Sequence, residues 1–234
     1  MLREGTDDAG RRRPDDGRMS AQAIAACVGR TLIQRMVIFP AVGMVCRPRV
    51  ERVCAAERIG GPLVVVANHT SHLDCPVLLR ALPAAVRRRT LVAAAADYIY
   101  RTRVRGAAVS LALGTMPFDR KVHTGAALDA CRGVLTSGGA LLMFPEGTRS
   151  RDGVMAAFKS GAARVAIDTG AAVLPVGVSG LHAVLPVGAS MPHPRRVSVR
   201  VGAPLYPSDG ESVKEFTSRI ENAVRRLCGQ DQVR

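Results

Sequence analysis

The sequence predicts an α/β fold with a largely parallel central sheet flanked by helices and preceded by an N-terminal amphipathic helical segment. Three observations predict it. From residue 62 onward, short apolar runs alternate with amphipathic segments, which is typical of layered α/β proteins. The two most polar motifs each follow directly on an apolar run. The chain has 234 residues, 47% of them hydrophobic, which is enough to bury a sizeable core.

The predicted strands and helices alternate in chain order within a single folding unit. The strand candidates are 62–67, 90–95, 114–118, 140–144, 172–178 and 196–201. The helix candidates are 75–82, 98–112, 122–137, 158–169 and 211–228. Pro175 indicates an edge strand or a strand that lines a site, because proline donates no hydrogen bond to a β ladder.

The N-terminal helical segment is predicted from apolar residues that recur every four positions, at Ile24, Val28, Leu32 and Met36. Its longest uncharged run, residues 36–46, has eleven residues, which are too few to span a bilayer of about 30 Å as one helix. Pro40 is expected to break or kink the helix. One interpretation is an interfacial or shallowly re-entrant segment, with Arg30, Arg35 and Arg47 near lipid headgroups. The alternative is an N-terminal helical hairpin packed on the core.

Composition divides the chain further. Residues 1–18 contain five arginines and five acidic residues with few apolar ones, which predicts a disordered tail, and Met19 is an alternative start. Residues 19–60 are predicted as the helical, membrane-associating segment, and 61–234 as the main domain. The six cysteines form no Cys-x-x-Cys pair, which indicates reduced thiols in a cytosolic environment.

The charge balance predicts an anionic partner. The chain has 33 Lys plus Arg against 19 Asp plus Glu, for a net charge of +14. Only 3% of residues are aromatic and tryptophan is absent, so the sequence offers few platforms on which single-stranded bases could stack. It also has no zinc-finger spacing. An anionic membrane surface is therefore favoured, and no nucleic-acid partner is expected.

The first polar motif, residues 68–74, reads Asn-His-Thr-Ser-His-Leu-Asp. His69 has an ordinary pKa of about 6.5, so its neutral form can accept a proton at pH 7. Asp74 stands at the start of a predicted helix, from which its carboxylate can turn back to one ring nitrogen of His69 and leave the other free. The alternative is a pair that only caps a loop. A metal bound by His69, His72 and Asp74 is not expected, because no further ligand cluster completes a site.

The second polar motif, residues 144–150, reads Phe-Pro-Glu-Gly-Thr-Arg-Ser. Its proline and glycine predict a tight turn that projects Glu146 and Arg149. Arg149 is a candidate phosphate ligand, and Glu146 is expected either to hold a substrate hydroxyl or to pair with Arg149. A polar turn with only an internal salt bridge is the alternative. At the end of another strand, Arg120 is also placed to meet a phosphate, or else to lie in solvent.

Four blocks resemble, in this order and spacing, those of the phospholipid/glycerol acyltransferase family, whose best-known members are the 1-acylglycerol-3-phosphate acyltransferases. The blocks are His-x4-Asp at 69–74, Gly-x-x-Phe-x-x-Arg at 114–120, Phe-Pro-Glu-Gly-Thr-Arg-Ser at 144–150 and a Pro-containing apolar block at 173–176. Two departures stand out. Pro117 stands where the family often has Phe, and the run 91–96 lacks the lysines that many phosphate-using members carry there.

The resemblance implies roles for the candidate site residues. His69 would deprotonate the acceptor hydroxyl, and Asp74 would orient and charge-balance the imidazole. Arg120 and Arg149 would bind the acceptor's phosphate. Glu146, with Gly147 and Thr148 in the same turn, would position the glycerol portion. The alkoxide would attack a thioester directly, with no covalent enzyme intermediate and no cofactor besides the co-substrate.

The implied function is transfer of a fatty acyl group from acyl-CoA, or from acyl carrier protein, to a lyso-glycerophospholipid. The first expected acceptor is 1-acylglycerol-3-phosphate, which would give phosphatidic acid, and residues 61–234 would form the acyltransferase domain. The expected location is the cytoplasmic face of the cell membrane, as a peripheral or monotopic protein bound to anionic lipids. The alternatives are the same chemistry on another lipid hydroxyl, or a non-catalytic protein that binds membranes or nucleic acid.

Overall fold

The structure, a computed structural model, describes residues 21–53, 59–95, 102–118 and 125–230. Within them, seven strands form one sheet in the order β1-β7-β6-β2-β5-β3-β4. The strands are β1 Pro48–Arg52, β2 Leu63–Ala67, β3 Thr90–Ala95, β4 Thr115–Phe118, β5 Ala140–Met143, β6 Ala172–Ser179 and β7 Val197–Val201. The predicted tail 1–18 and Met19 lie outside the described residues.

The sheet is largely parallel, as predicted. Strands β6, β2, β5, β3 and β4 run in one direction, whereas β7 is antiparallel to β6 and carries β1 parallel to itself. The carboxyl ends of β2, β5 and β6 therefore meet at one edge of the sheet, which is where sites in open α/β sheets are built. Ser198, at the amino end of β7, lies opposite Ser179 at that same edge.

Helices cover both faces of the sheet. They are α1 Ala21–Ile33, α2 Phe39–Cys46, α3 Asp74–Ala81, α4 Ala84–Arg89, α5 Arg103–Leu113, α6 Gly125–Thr136, α7 Gly161–Thr169, α8 Leu181–Val184 and α9 Val213–Cys228. Two apolar cores result, one under α2, α3, α4 and α8 and the other under α6, α7 and α9. Alternate β2 residues enter opposite cores, Val65 the first and Val64 the second. Burial on both faces explains why this strand reads as a continuous apolar run.

The N-terminal segment forms one continuous helical stretch, in which a π-helical turn, Gln34–Ile38, joins α1 to α2. Pro40 was expected to break or kink the helix, and the break is wrong because the helical stretch continues through it. Pro40 lies in the first turn of α2, directly after the π-helical turn, where a widened turn accommodates a residue that has no N–H to donate. The helical hairpin is also absent from the described part of this segment, because the chain passes from α2 into β1.

The helical stretch is longer than the uncharged run suggested. Residues Ala25–Cys46 form a helical stretch of 22 residues, which by length and composition alone is long and apolar enough to cross a membrane. The eleven-residue estimate ended at Arg35, but the helix continues through this residue and through Arg30. Only 11% of the apolar 18-residue part of this helix is buried inside the protein.

Three elements were not predicted from the sequence. Residues 48–52, assigned there to the helical segment, form β1; they hold one valine among a proline and three charged residues. Their extended conformation comes from pairing with β7, since strand formation depends on neighbours more than on intrinsic preference. Helices α4 and α8 have six and four residues, which is too short for a clear helical period.

Pro175 was expected to mark an edge strand or a strand that lines a site. Strand β6 lies between β2 and β7, so the first of these alternatives is wrong. Val173 exchanges two hydrogen bonds of 2.8 Å with Leu205, and the Pro175 carbonyl accepts one of 2.9 Å from Gly202. Regular pairing with β7 begins only at Val176. The missing N–H of Pro175 thus falls where the chain after β7 leaves the ladder, which makes the proline tolerable inside the sheet.

Candidate active site

The turn between β2 and α3 is organised around the carboxylate of Asp74. Its Oδ2 atom accepts the backbone N–H groups of Thr70 and Ser71 at 2.7 and 2.8 Å, and lies 2.7 Å from Nδ1 of His69. The Asp74 side chain is fully buried, whereas that of His69 is 20% exposed. Because an ionised carboxylate only accepts, Nδ1 carries the proton, and Nε2 is left to accept one from a substrate. The predicted contact between His69 and Asp74 is present.

The second motif lies directly against His69. The imidazole stacks on the Phe144 ring, with centroids 4.1 Å apart and planes 19° from parallel. The backbone N–H of His69 donates to Oε1 of Glu146 at 2.7 Å, and its carbonyl accepts the N–H of Ser150 at 2.8 Å. Ring stacking and backbone bonds together hold this imidazole in one orientation. The two motifs therefore form one site, at the ends of the neighbouring strands β2 and β5.

Glu146 is buried, and both its oxygens serve the backbone. Besides the bond to His69, Oε2 accepts the N–H of Ala156 at 2.9 Å. Burial raises the pKa of Glu146 from 4.5 to about 7. The hydrogen bonds from Ala156 and His69 act in the opposite direction and lower this pKa. The negative charge of Asp74 raises it further, and the positive charge of Arg225 lowers it. The sequence predicted a contact from Glu146 to a substrate hydroxyl or to Arg149. It did not predict that backbone N–H groups would bond to both oxygens of Glu146.

The rest of the second motif forms the expected turn. Gly147 has a φ of +76°, a conformation that favours glycine, and its N–H donates to the Phe144 carbonyl at 3.0 Å. Thr148 is exposed. The Arg149 guanidinium contacts Nε2 of His72, so it lies beside the first motif. Arg120, the other predicted phosphate ligand, lies outside the described residues.

Supporting contacts that the sequence did not reveal hold the first motif on the sheet. The Asn68 side chain bonds both backbone groups of Val178 in β6, at 2.8 and 2.9 Å. The Ser71 hydroxyl donates to the Leu185 carbonyl at 2.9 Å. These partners are more than 100 residues away along the chain, so no local signal identifies them.

The arrangement supplies a proton acceptor, a buried negative charge behind it and a cation alongside. An imidazole that gains a proton at Nε2 becomes a cation hydrogen-bonded to the Asp74 carboxylate, which stabilises it. In the described ranges, no three His, Cys, Asp or Glu side chains are grouped so as to hold a metal ion. The geometry thus suits deprotonation of a hydroxyl next to a bound anion.

Comparison with known proteins supports this chemistry. The acyltransferase family model matches residues 47–179, which include both motifs and more than half of the chain. The chain is 31% identical over 167 residues to the chloroplastic 1-acyl-sn-glycerol-3-phosphate acyltransferase LPAT1 of Arabidopsis thaliana, covering 70% of this chain and 45% of that protein. It is 30% identical over 173 residues to 1-acyl-sn-glycerol-3-phosphate acyltransferase alpha of Ovis aries, covering 70% and 56%. The chain thus spans about half the length of these relatives.

The fold has a solved counterpart. The crystal structure of the 1-acyl-sn-glycerophosphate (LPA) acyltransferase PlsC from Thermotoga maritima superposes with a TM-score of 0.71 at 25% sequence identity. The match covers 92% of this chain and 85% of that one. A family match that contains the whole His69 site, together with this shared fold, establishes that the chain belongs to the acyltransferase family.

Proposed function

We propose that this protein transfers a fatty acyl group from a thioester to the free hydroxyl of 1-acylglycerol-3-phosphate, forming phosphatidic acid. The observation that carries the proposal is the 2.7 Å contact between His69 Nδ1 and Asp74, made beside the turn that holds Arg149. Family membership and the activities for which the related proteins are named support the same reaction.

His69 and Asp74 are the proposed catalytic pair. Nε2 of His69 takes the proton of the acceptor hydroxyl as its oxygen attacks the thioester carbonyl. The tetrahedral intermediate then expels the thiolate, which receives that proton from the imidazolium and leaves as a thiol. Asp74 stabilises the imidazolium between these two steps. A general base of this kind typically contributes about 10²–10⁴ in rate.

The acceptor is held by the second motif. Arg149 binds the phosphate through its planar guanidinium, and Arg120 supplies a second cation. Gly147 and Thr148 form the turn that borders the glycerol portion. Glu146, assigned to that portion by the family resemblance, acts mainly through the position of the His69 turn, because backbone groups engage both its oxygens.

The donor is acyl-CoA or acyl carrier protein, and no further cofactor takes part. Both donors are acidic, and the chain carries a net charge of +14. Within residues 80–121, nine Lys or Arg residues stand against two acidic ones. This local excess of positive charge favours the approach of either donor.

The protein works at the cytoplasmic face of the cell membrane as a peripheral or monotopic enzyme. The π-helical turn and the helices on either side of it present an apolar face that nothing in the described structure covers. Its members are 53–70% exposed: Val28, Leu32, Met36, Val37 and Met44. Such a face, flanked by cationic side chains, is typical of helices that lie in a membrane interface.

A cluster of arginines favours anionic lipid. An open depression of about 330 Å³ lies where β1 and β7 begin, with Arg47, Arg49 and Arg196 among its lining residues. Because β7 begins beside the end of β6, this depression shares the sheet edge that carries the site. Arg195, also exposed, is tied to the end of α2 by a bond from its N–H to the Val45 carbonyl. Charges so placed would hold the site against anionic headgroups.

Vesicle sedimentation tests this location. The exchange of Leu32 and Met36 for Gln should weaken binding to all vesicles, and the exchange of Arg195 and Arg196 for Gln should weaken binding only to those with phosphatidylglycerol. The matched controls are Tyr206→Gln, an exposed side chain elsewhere, and Arg164→Gln, exposed on α7 across the sheet. Undiminished binding by both double variants would contradict the proposed membrane surface.

The reaction is tested by thiol release from acyl-CoA with and without 1-acylglycerol-3-phosphate. We expect acceptor-dependent release with phosphatidic acid as product, and a loss of about 10²–10⁴-fold in His69→Ala. His193→Ala, an exposed histidine without a contact to the site, is the control. If thiol release depends on another lipid hydroxyl and not on 1-acylglycerol-3-phosphate, the proposed acceptor is wrong. If no acyl group is transferred to any lipid, the proposed enzymatic activity is wrong.

A further inference from the structure

The segment that follows the second motif is held in place by side chains rather than by a ladder of its own. Residues 153–158 form no helix or strand. Since buried backbone groups need partners, the partners of this segment show what determines its position. One of them is Glu146, whose Oε2 accepts the Ala156 N–H at 2.9 Å. The segment is therefore one bond away from the carboxylate that holds His69.

Helix α9 and Gln230, which follows it, supply several further partners. The Gln230 amide spans two positions: its oxygen accepts the Met155 N–H and its nitrogen donates to the Gly153 carbonyl, each at 2.8 Å. The Arg225 guanidinium donates to the Met155 carbonyl at 3.2 Å. These bonds fix the backbone on the N-terminal side of Ala156.

Glu221 fixes the other side. Its Oε2 accepts the Phe158 N–H at 2.8 Å, while its Oε1 receives the Arg225 guanidinium at 2.9 and 3.1 Å. The Glu221–Arg225 ion pair on α9 thus links the attachment at Met155 to the one at Phe158. The bond from Ala156 to Glu146 lies between these two attachments. The Met155 side chain, buried in the second core, anchors the segment from below.

We propose that Glu221, Arg225 and Gln230 are positioning residues of the active site, which set the placement of His69 through residues 153–158 and Glu146. This inference rests on the proposed function for its catalytic consequence, but its structural part stands on the bonds alone. None of the three residues belongs to the motifs that identified the family.

Two physical effects link these residues to the imidazole. Loss of an attachment lets the Ala156 N–H move away from Glu146, and the His69 turn then loses one of its two carboxylate supports. Small misplacements of a catalytic group are costly, because reaction requires a narrow range of distances and angles. The charge of Arg225 also favours the ionised form of Glu146, the form in which both oxygens accept.

The kinetic test compares Arg225→Ala with Arg226→Ala, its exposed neighbour on the same helix. In the full chain, Arg225→Ala and Gln230→Ala should each lower kcat about 10- to 100-fold, the range typical when a hydrogen bond that orients a metal-binding side chain is removed. KM values for both substrates should change less than about twofold, because the substrate-binding groups stay in place. The acid limb of the pH profile of kcat should move to higher pH in Arg225→Ala, because Glu146 ionises at higher pH without the charge of Arg225.

A conservative variant separates positioning from folding. Glu221→Gln keeps an oxygen for the Phe158 N–H and should retain more activity than Glu221→Ala. Wild-type kcat and pH profile in Arg225→Ala and Gln230→Ala would overturn the proposal, as would equal losses in Arg226→Ala.

A readout that does not depend on turnover distinguishes this proposal from the proposed function. In ¹⁵N-labelled protein, the backbone amide resonances of His69 and Ala156 should shift in Arg225→Ala and stay unchanged in Arg226→Ala. If the wild-type protein acylates no lipid, shifts of these resonances in Arg225→Ala would still support the positioning network, and only the proposed function would be contradicted. Unshifted resonances in Arg225→Ala would overturn the network whatever the activity.

Discussion

The backbone N–H of His69 and Oε1 of Glu146 lie 2.7 Å apart, although 77 residues separate them in the chain. The register of the sheet explains this contact. Strands β2 and β5 are parallel neighbours, with Val66 opposite Met143, so the turns that follow them start level with each other. A bond between the first turn's backbone and the second turn's carboxylate makes the two motifs one structural unit.

The charge of Asp74 is expected to matter more than its shape. In Asp74→Asn, an amide oxygen can still accept the N–H groups of Thr70 and Ser71, but no negative charge stabilises the imidazolium. We expect kcat to fall by roughly 10²–10⁴-fold with KM changed less than about threefold. Steady-state thiol release measures both, and circular dichroism checks folding. Asp209→Asn, in an exposed loop, is the control. A variant with wild-type kcat would rule out the proposed pair.

Arg149 is expected to recognise the acceptor's phosphate. Loss of a hydrogen bond to a charged group costs about 1.5–3 kcal/mol, so Arg149→Ala should raise KM for 1-acylglycerol-3-phosphate roughly 10- to 100-fold. Arg149→Lys should recover part of this, since it restores the charge without the planar fork. KM for monoacylglycerol, which has no phosphate, should not change. Arg151→Ala, an exposed arginine two residues on, is the control. A KM unchanged in Arg149→Ala would assign the phosphate to another group.

Ionisation of Glu146 is expected to make stability depend on pH. Its pKa is about 7 in the folded protein against 4.5 ordinarily, so the unfolded chain releases this proton first as pH rises. The protein should lose roughly 3 kcal/mol relative to Glu146→Gln as the pH rises from about 4 to about 8, with little further change at higher pH. Urea unfolding of both proteins at several pH values measures the difference. A constant difference across this window would contradict the raised pKa.

Gly177 in β6 is expected to be essential for packing. A Cβ atom there would lie 2.4 Å from the backbone nitrogen of Cys228 and from the carbonyl carbon of Leu227, both in α9. The helix backbone cannot yield as a side-chain tip can, so Gly177→Ala should cost about 2–3 kcal/mol. Thermal unfolding should show Tm lowered by about 4–10 °C. Gly133 is exposed on a helix, and a Cβ atom added there would meet no atom of a more distant part of the protein within 4 Å. Gly133→Ala should therefore be neutral or stabilising. Similar Tm values for the two variants would refute the close approach.

The sequence alone predicted much of the fold and the core of the site. Apolar runs of four to six residues mark β2 and β5 because both faces of these strands are buried. The two polar motifs directly follow these strands, and parallel strands bring their carboxyl ends to one edge of the sheet. The contact between His69 and Asp74 was predictable because only four residues of one turn separate them, so local geometry brings them within reach.

Other features were decided only by the tertiary structure. Strand β1 exists because β7 offers it a partner, Pro175 is tolerated inside the sheet because the chain leaves the ladder beside it, and the helix passes Pro40 by means of a π-helical turn. The backbone role of Glu146 and its link to α9 depend on partners 10 to 77 residues away. Periodicity and motif spacing record which residues favour an element or a chemistry. Only the packed chain determines which donors and acceptors meet, because these contacts join segments distant in sequence.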